Sequence, residues 1–84
     1  MPTIAIVDGV IIMIYPNDHI PPHVHAKFAD SECRISIVNF EVMSGDLPKA
    51  KLRKVRAWLE EHVGEVSSAW EAIYDGRGFK GRIE

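Results

Sequence analysis

Thr3-Ile4-Ala5-Ile6-Val7-Asp8-Gly9-Val10-Ile11-Ile12-Met13-Ile14-Tyr15 is a run of β-branched and apolar residues broken once, at Asp8-Gly9. Branched side chains are stiff at χ1 and fit a pleated surface better than a helix. Asp-Gly tolerates the positive φ angles that a two-residue hairpin turn demands. The run therefore predicts two antiparallel strands, residues 3–7 and 10–15. Both are apolar on both alternating faces, whereas a half-solvated sheet alternates apolar with polar. Their second face is thus expected to meet a second copy or a partner chain.

Working outward, residues 16–22 form a loop, because Pro16, Pro21 and Pro22 lack an N–H and Asn17 and Asp18 favour turns. The strand pattern resumes over 23–29, with Val24, Ala26 and Phe28 on one face and His23, His25 and Lys27 on the other. A hairpin about Asp30-Ser31 is expected to set Phe28 opposite Cys33, Ala26 opposite Ile35 and Val24 opposite Ile37. The same register sets Lys27 opposite Arg34 and His25 opposite Ser36. A short strand over 40–43 follows, closed by Ser44-Gly45-Asp46.

Pro48 at the first helical position starts a helix to about His62, with Leu52, Val55, Leu59 and Val63 at the helical period and Gly64 as its stop. A second helix spans about 66–74, carrying Val66, Ala69, Trp70, Ile73 and Tyr74 on one side. The basic, glycine-rich segment 76–84 is expected to hold a short terminal strand near 79–83. Strands first and helices last give an α+β fold, a mainly antiparallel sheet followed by two C-terminal helices on one face. All 84 residues read as a single domain.

Ten Lys and Arg against twelve Asp and Glu leave a formal net charge of −2, so no global positive field draws the chain to nucleic acid or membrane. Such binding needs a local patch. A lone cysteine, Cys33, cannot form an internal disulfide and is expected to serve as a small hydrophobe. With neither a leader pattern nor a run of about 18 apolar residues, the expected location is cytoplasmic.

Three of the four histidines, His19, His23 and His25, cluster beside Asp18. His-x-His on a strand aims two imidazoles to one side, about two ~3.3 Å residue rises apart. That spacing suits two ligands of a divalent transition metal, with His19 or Asp18 completing the set. It equally suits a general base and a general acid. The plainer alternative is a turn, a strand end and half-exposed sheet histidines with satisfied ring nitrogens.

The sequence resembles domain-of-unknown-function family 4160, a group of small prokaryotic proteins. The resemblance rests on Met1-Pro2-Thr3-Ile4, Asp18-His19-x-Pro21-Pro22-His23-x-His25, Gly45-x-Leu47-Pro48, and Trp58 and Trp70 on successive helices. Val24 stands where an aromatic is commoner in that family. The resemblance implies a small bacterial protein often encoded beside another short reading frame, with some members labelled toxin–antitoxin components. It implies no established reaction.

Lys49, Lys51, Arg53, Lys54 and Arg56 crowd the first half of the first helix and Glu60 and Glu61 its end, opposite to the preference of the helix dipole. Projected at 100° per residue, Lys49, Arg53 and Arg56 share a ridge spaced to follow phosphates or an acidic partner. The plainer reading is a solvated face with an Arg56–Glu60 pair. Lys27 and Arg34, opposed on the sheet, would likewise invite an anion unless Glu32 answers them. The tail Arg77-Gly78-Phe79-Lys80-Gly81-Arg82 mixes cations with an aromatic, as single-strand-binding segments do. Pro2 would offer a terminal amine for tautomerase-like chemistry after methionine removal, or simply precede a strand. Together these features point to an interaction or regulatory protein of toxin–antitoxin type, with a basic, histidine-bearing surface for RNA, DNA or a small partner protein and a tendency to form homo-oligomers. The rival class is a metal-dependent or histidine-catalysed hydrolase or nuclease using Asp18, His19, His23 and His25.

Overall fold

Asp8 and Gly9 both take positive φ, 50° and 82°, and fold the apolar run back on itself as a tight hairpin requires. The structure is a computed structural model that describes residues 3–16, 20–79 and 81–83. Five strands, β1 (Thr3–Val7), β2 (Val10–Met13), β3 (His23–Phe28), β4 (Ser31–Ser36) and β5 (Val42–Gly45), precede two helices, α1 (Lys49–Glu61) and α2 (Val63–Tyr74). The strands form one antiparallel sheet in the order β1-β2-β3-β4-β5. This is the expected α+β arrangement.

Alternation sorts the strand residues. Val10, Ile12, Ile14, Val24, Ala26, Cys33, Ile35 and Ile37 are buried in one cluster with Val55 and Leu59 of α1 and Val66, Ala69, Trp70 and Ile73 of α2. Both helices therefore pack on that face of the sheet, and each aliphatic side chain so buried contributes about 1.5–3 kcal/mol of transfer free energy. The opposite face carries Ile6, Ile11, Lys27, Glu32 and Arg34, which register places beside one another. No helix among the described residues is long and apolar enough to cross a membrane.

The doubly apolar first strands find most of their cover within the chain. A register shift between Thr3 and Ala5 lets Ile4 and Ala5 both be buried, so Ile4, Val10, Ile12 and Ile14 all belong to the core. What remains uncovered is the cross-strand pair Ile6 and Ile11, 50% and 37% exposed.

Several boundaries differ from those read in the sequence. The β3–β4 turn is the two-residue Ala29-Asp30, with Ala29 at φ 53°, so Phe28 faces Ser31 and not Cys33. Every partner moves by two residues, which preserves the buried face but sets Lys27 opposite Glu32 and His25 opposite Arg34. The expected like-charge opposition of Lys27 and Arg34 does not exist. β2 ends at Met13 and not at Tyr15. β5 starts at Val42 because the preceding turn extends to Phe40: Ser36 Oγ accepts the N–H groups of Val38 and Asn39, and Phe40 takes φ 62°. Pro48 is the N-cap of α1 and not its first residue. Gly64 does not stop α1; His62 forms the joint, and Gly64 falls in the first turn of α2, where backbone N–H groups lack intrahelical partners anyway. Near the C-terminus no strand forms among the described residues; Ile83 is buried and its N–H donates to Ile4 O at 2.7 Å.

α1 is tied to the first hairpin by charge. Lys51 Nζ donates to Asp8 O at 2.8 Å and to Asp8 Oδ2 at 3.0 Å, lies 4.7 Å over the Phe28 ring, and Lys54 Nζ stands 3.7 Å from the same carboxylate. The hydrogen bond from Lys51 holds the Asp8 carboxyl below its ordinary range, as do the charges of Lys51 and Lys54.

Gly45 lets β5 approach β4. It adopts φ 74°, and a Cβ there would overlap Glu32 O and come within 3.0 Å of Cys33 Cα. Gly45→Ala is therefore expected to destabilise the protein by about 2 kcal/mol or more, since the left-handed backbone and the contact with β4 both resist it. Urea unfolding checks this, with Gly64→Ala, which meets nothing within 4 Å, as the tolerated control.

Candidate functional site: an imidazole cleft and a basic helix ridge

β3 begins directly after Pro22, and by alternation His23 and His25 take the side of the strand opposite Val24 and Ala26, but their surroundings differ. His23 is 1% exposed. Its Nδ1 lies 2.8 Å from Pro21 O, and since a carbonyl only accepts, that nitrogen carries the proton. At the strand's end the ring reaches Trp70 of α2, with centroids 5.4 Å apart, and it stands 5.3 Å from the His25 ring.

His25 is held differently. Tyr15 meets its ring edge-on at 4.3 Å, and Glu32 Oε2 lies 3.6 Å from its Nδ1, leaving the side chain 14% exposed. It lines a cleft of about 330 Å³ with Glu32, Cys33, Arg34 and Ser44. Within the cleft Arg34 Nε donates to Ser44 Oγ at 2.7 Å. Burial, with the nearby charges of Asp46 and Glu32, pushes the Cys33 thiol up to about 11, so it is not a thiolate at neutral pH.

Asp18 and His19, the expected completion of this group, lie outside the described residues, as do Pro2 and Lys80. Among the described residues no set of three or more His, Cys, Asp or Glu is placed to hold a metal ion. His62 has other company: its ring stacks on Trp58 at 4.9 Å and its Nδ1 donates to Trp58 O at 3.0 Å.

The cations divide between two places. Lys27 and Arg34 are on the open sheet face, opposite Glu32 and His25 respectively. Lys49, Arg53 and Arg56 line a separate groove of about 330 Å³ on α1, with Leu52, Ala57 and Glu60. Because α1 packs on the other face of the sheet, Lys49, Arg53 and Arg56 lie on a different surface from Lys27, Arg34 and His25. Lys51 and Lys54 are engaged by Asp8, whereas Lys49, Arg53 and Arg56 enter no ion pair among the described residues, and the Arg56–Glu60 pair of the plainer alternative does not form.

Among the described residues Glu32, Ser44, Tyr15 and Trp70 also stand around the imidazoles and are not marked for it in the sequence. Glu32 is within reach of sequence reasoning, since a two-residue turn at Ala29-Asp30 places it diagonal to His25. Ser44 and Trp70 carry no such signal, because only strand pairing and helix docking bring them near.

A sheet of this order with two helices on one face and an imidazole cleft on the other describes a small α+β domain. Residues 9–71 match the model of the Domain of unknown function (DUF4160) family, and the chain belongs to that family. The matched segment holds the whole histidine stretch and both tryptophans, while Met1-Pro2-Thr3-Ile4 lies outside it. No curated protein and no solved structure matches the chain.

The two histidines should respond differently to truncation. His23→Ala leaves a cavity against Trp70 and removes the donor to Pro21 O, for an expected loss of about 2–3 kcal/mol in urea unfolding. His25→Ala is expected to cost less than His23→Ala, because its ring is 14% exposed and lines the cleft whereas His23 is closed in.

Proposed function

We propose that the protein is a small interaction or regulatory component of toxin–antitoxin type that contacts the phosphates of RNA or DNA through the α1 ridge. The observation that carries this reading is the groove lined by Lys49, Arg53 and Arg56, none of them ion-paired among the described residues, beside two lysines already engaged by Asp8. Cations in the first half of a helix oppose its dipole, at about 0.3–1 kcal/mol for each charge near the end. Asp8 offsets that cost for Lys51. For the ridge, phosphate oxygens would do the same. At 1.5 Å rise per residue the three side chains leave the helix about 6 and 4.5 Å apart along its axis, a spacing that follows a charged backbone. With a net charge of −2 the contact is local, so the rest of the surface does not drive non-specific accumulation. The toxin–antitoxin assignment is supported by the resemblance of the histidine and tryptophan motifs to family members so labelled.

Fluorescence anisotropy with short single- and double-stranded oligonucleotides tests the reading. Binding should weaken steeply with salt, and Arg53→Ala with Arg56→Ala should flatten the log–log slope by about 1.4–1.8, the loss of two phosphate contacts. An absence of binding at low salt, or an unchanged slope in the double variant, would remove the ridge from the mechanism.

Self-association, or pairing with a small cognate chain, belongs to the same reading and is supported by the exposed cross-strand pair Ile6 and Ile11. Sedimentation velocity at micromolar concentration is expected to show a dimer that Ile6→Ser returns to monomer; a wild-type monomer across that range argues against self-association.

A further inference from the structure

We propose that the cleft on the open sheet face is a phosphate-monoester site, built on Arg34 and Ser44 with His25 at its wall, and separate from the α1 ridge. The first support is charge accounting across the strands. Register sets Lys27 beside Glu32 on the neighbouring strand, and Glu32 Oε2 lies 3.6 Å from His25 Nδ1, so that carboxylate is turned to the imidazole and not to Arg34. Arg34 is set against His25 and Ser44 and enters no ion pair among the described residues. Its charge on this face is left for an anion from outside.

The second support is how Arg34 is held. Its Nε donates to Ser44 Oγ at 2.7 Å, which fixes the guanidinium plane and leaves the two terminal nitrogens as a fork. Ser44 accepts that bond with its oxygen, so its own O–H remains a donor. Two guanidinium nitrogens and one hydroxyl match the three terminal oxygens of a phosphate monoester, whereas a carboxylate has only two. Arg34 is half-buried within a cleft of about 330 Å³, so the fork is partly shielded from water, which strengthens it.

The third support is that the backbone is shaped around this pair. The β4–β5 register shifts between Arg34 and Ile35, Arg34 pairing with Ser44 and Ile35 with Val42. An irregularity of that kind re-aims side chains and is common beside functional sites. Gly45, immediately after Ser44, permits the close approach to β4 that brings the hydroxyl to the guanidinium.

Two sources offer this chemistry: a free small phosphate and the phosphorylated end of a nucleic-acid strand. The site is tested in the Arg53→Ala, Arg56→Ala chain, which removes both arginines of the ridge, and is read at Arg34 and His25 themselves. Two-dimensional NMR follows the Arg34 Nε–Hε signal and the His25 ring signals during titration with inorganic phosphate, with acetate, and with a 5′-phosphorylated dinucleotide and its unphosphorylated counterpart. A saturating shift with inorganic phosphate that acetate does not reproduce assigns a free-phosphate site. Saturation with the phosphorylated dinucleotide alone assigns a strand end. Either supports the proposal, and Arg34→Lys, which keeps the charge and loses the fork, should then weaken binding about tenfold, with a smaller loss for Ser44→Ala. Linear shifts shared by phosphate and acetate, or binding unaltered in Arg34→Lys, would overturn it whatever the ridge does.

Discussion

Burial of one alternating row of the sheet under α1 and α2 is the constraint on which the rest of the molecule depends. Val10, Ile12, Val24, Ala26, Cys33 and Ile35 must face the helices, and in a strand the neighbours of such residues face the other way. His25, Lys27, Glu32 and Arg34 are therefore gathered on the open face as a consequence of packing. Slipping the β3–β4 register by one residue would expose the whole apolar row, which makes the composition of the polar face as firmly determined as the core itself.

The same constraint separates the cations of α1 from those of the sheet. The helix presents Val55 and Leu59 to the core, and its charged residues are left to its flanks. On one flank Lys51 and Lys54 reach the hairpin carboxylate of Asp8, a contact that ties α1 to the β1–β2 turn. On the other, Lys49, Arg53 and Arg56 line a groove without a counter-ion among the described residues. A run of five cations that is uniform in sequence thus divides in two in the fold. Its tethered part joins the helix to the first hairpin, and the remainder has no counter-ion among the described residues.

The histidine segment shows how one strand position alters chemistry. His23 and His25 are two residues apart and share a face, yet their environments diverge. His23 is closed in against Trp70 with its Nδ1 proton given to Pro21 O, while His25 lines the cleft beside Glu32 and Arg34. The two rings are within contact of each other. The inner ring is closed in by the core, and the outer one lines the cleft with Glu32, Arg34 and Ser44.

The order of strands and helices, the Asp8-Gly9 hairpin, the apolar row of β3 and β4 and the ridge of α1 are local in character: they follow from residue type, spacing and periodicity along contiguous stretches, and the sequence by itself determined them. The clustering of His23 and His25 on one face was legible for the same reason. What only the tertiary structure decided are relations between distant residues. The two-residue turn at Ala29-Asp30 replaced Arg34 by Glu32 as the partner of Lys27, because a turn length is set by one backbone angle that an alanine does not advertise. The pairing of Arg34 with Ser44 needed the β4–β5 register, and the bond of Lys51 to Asp8, 43 residues away, needed α1 to dock. Sequence periodicity says which face a side chain takes; which partner it meets there depends on where a separate strand or helix comes to rest.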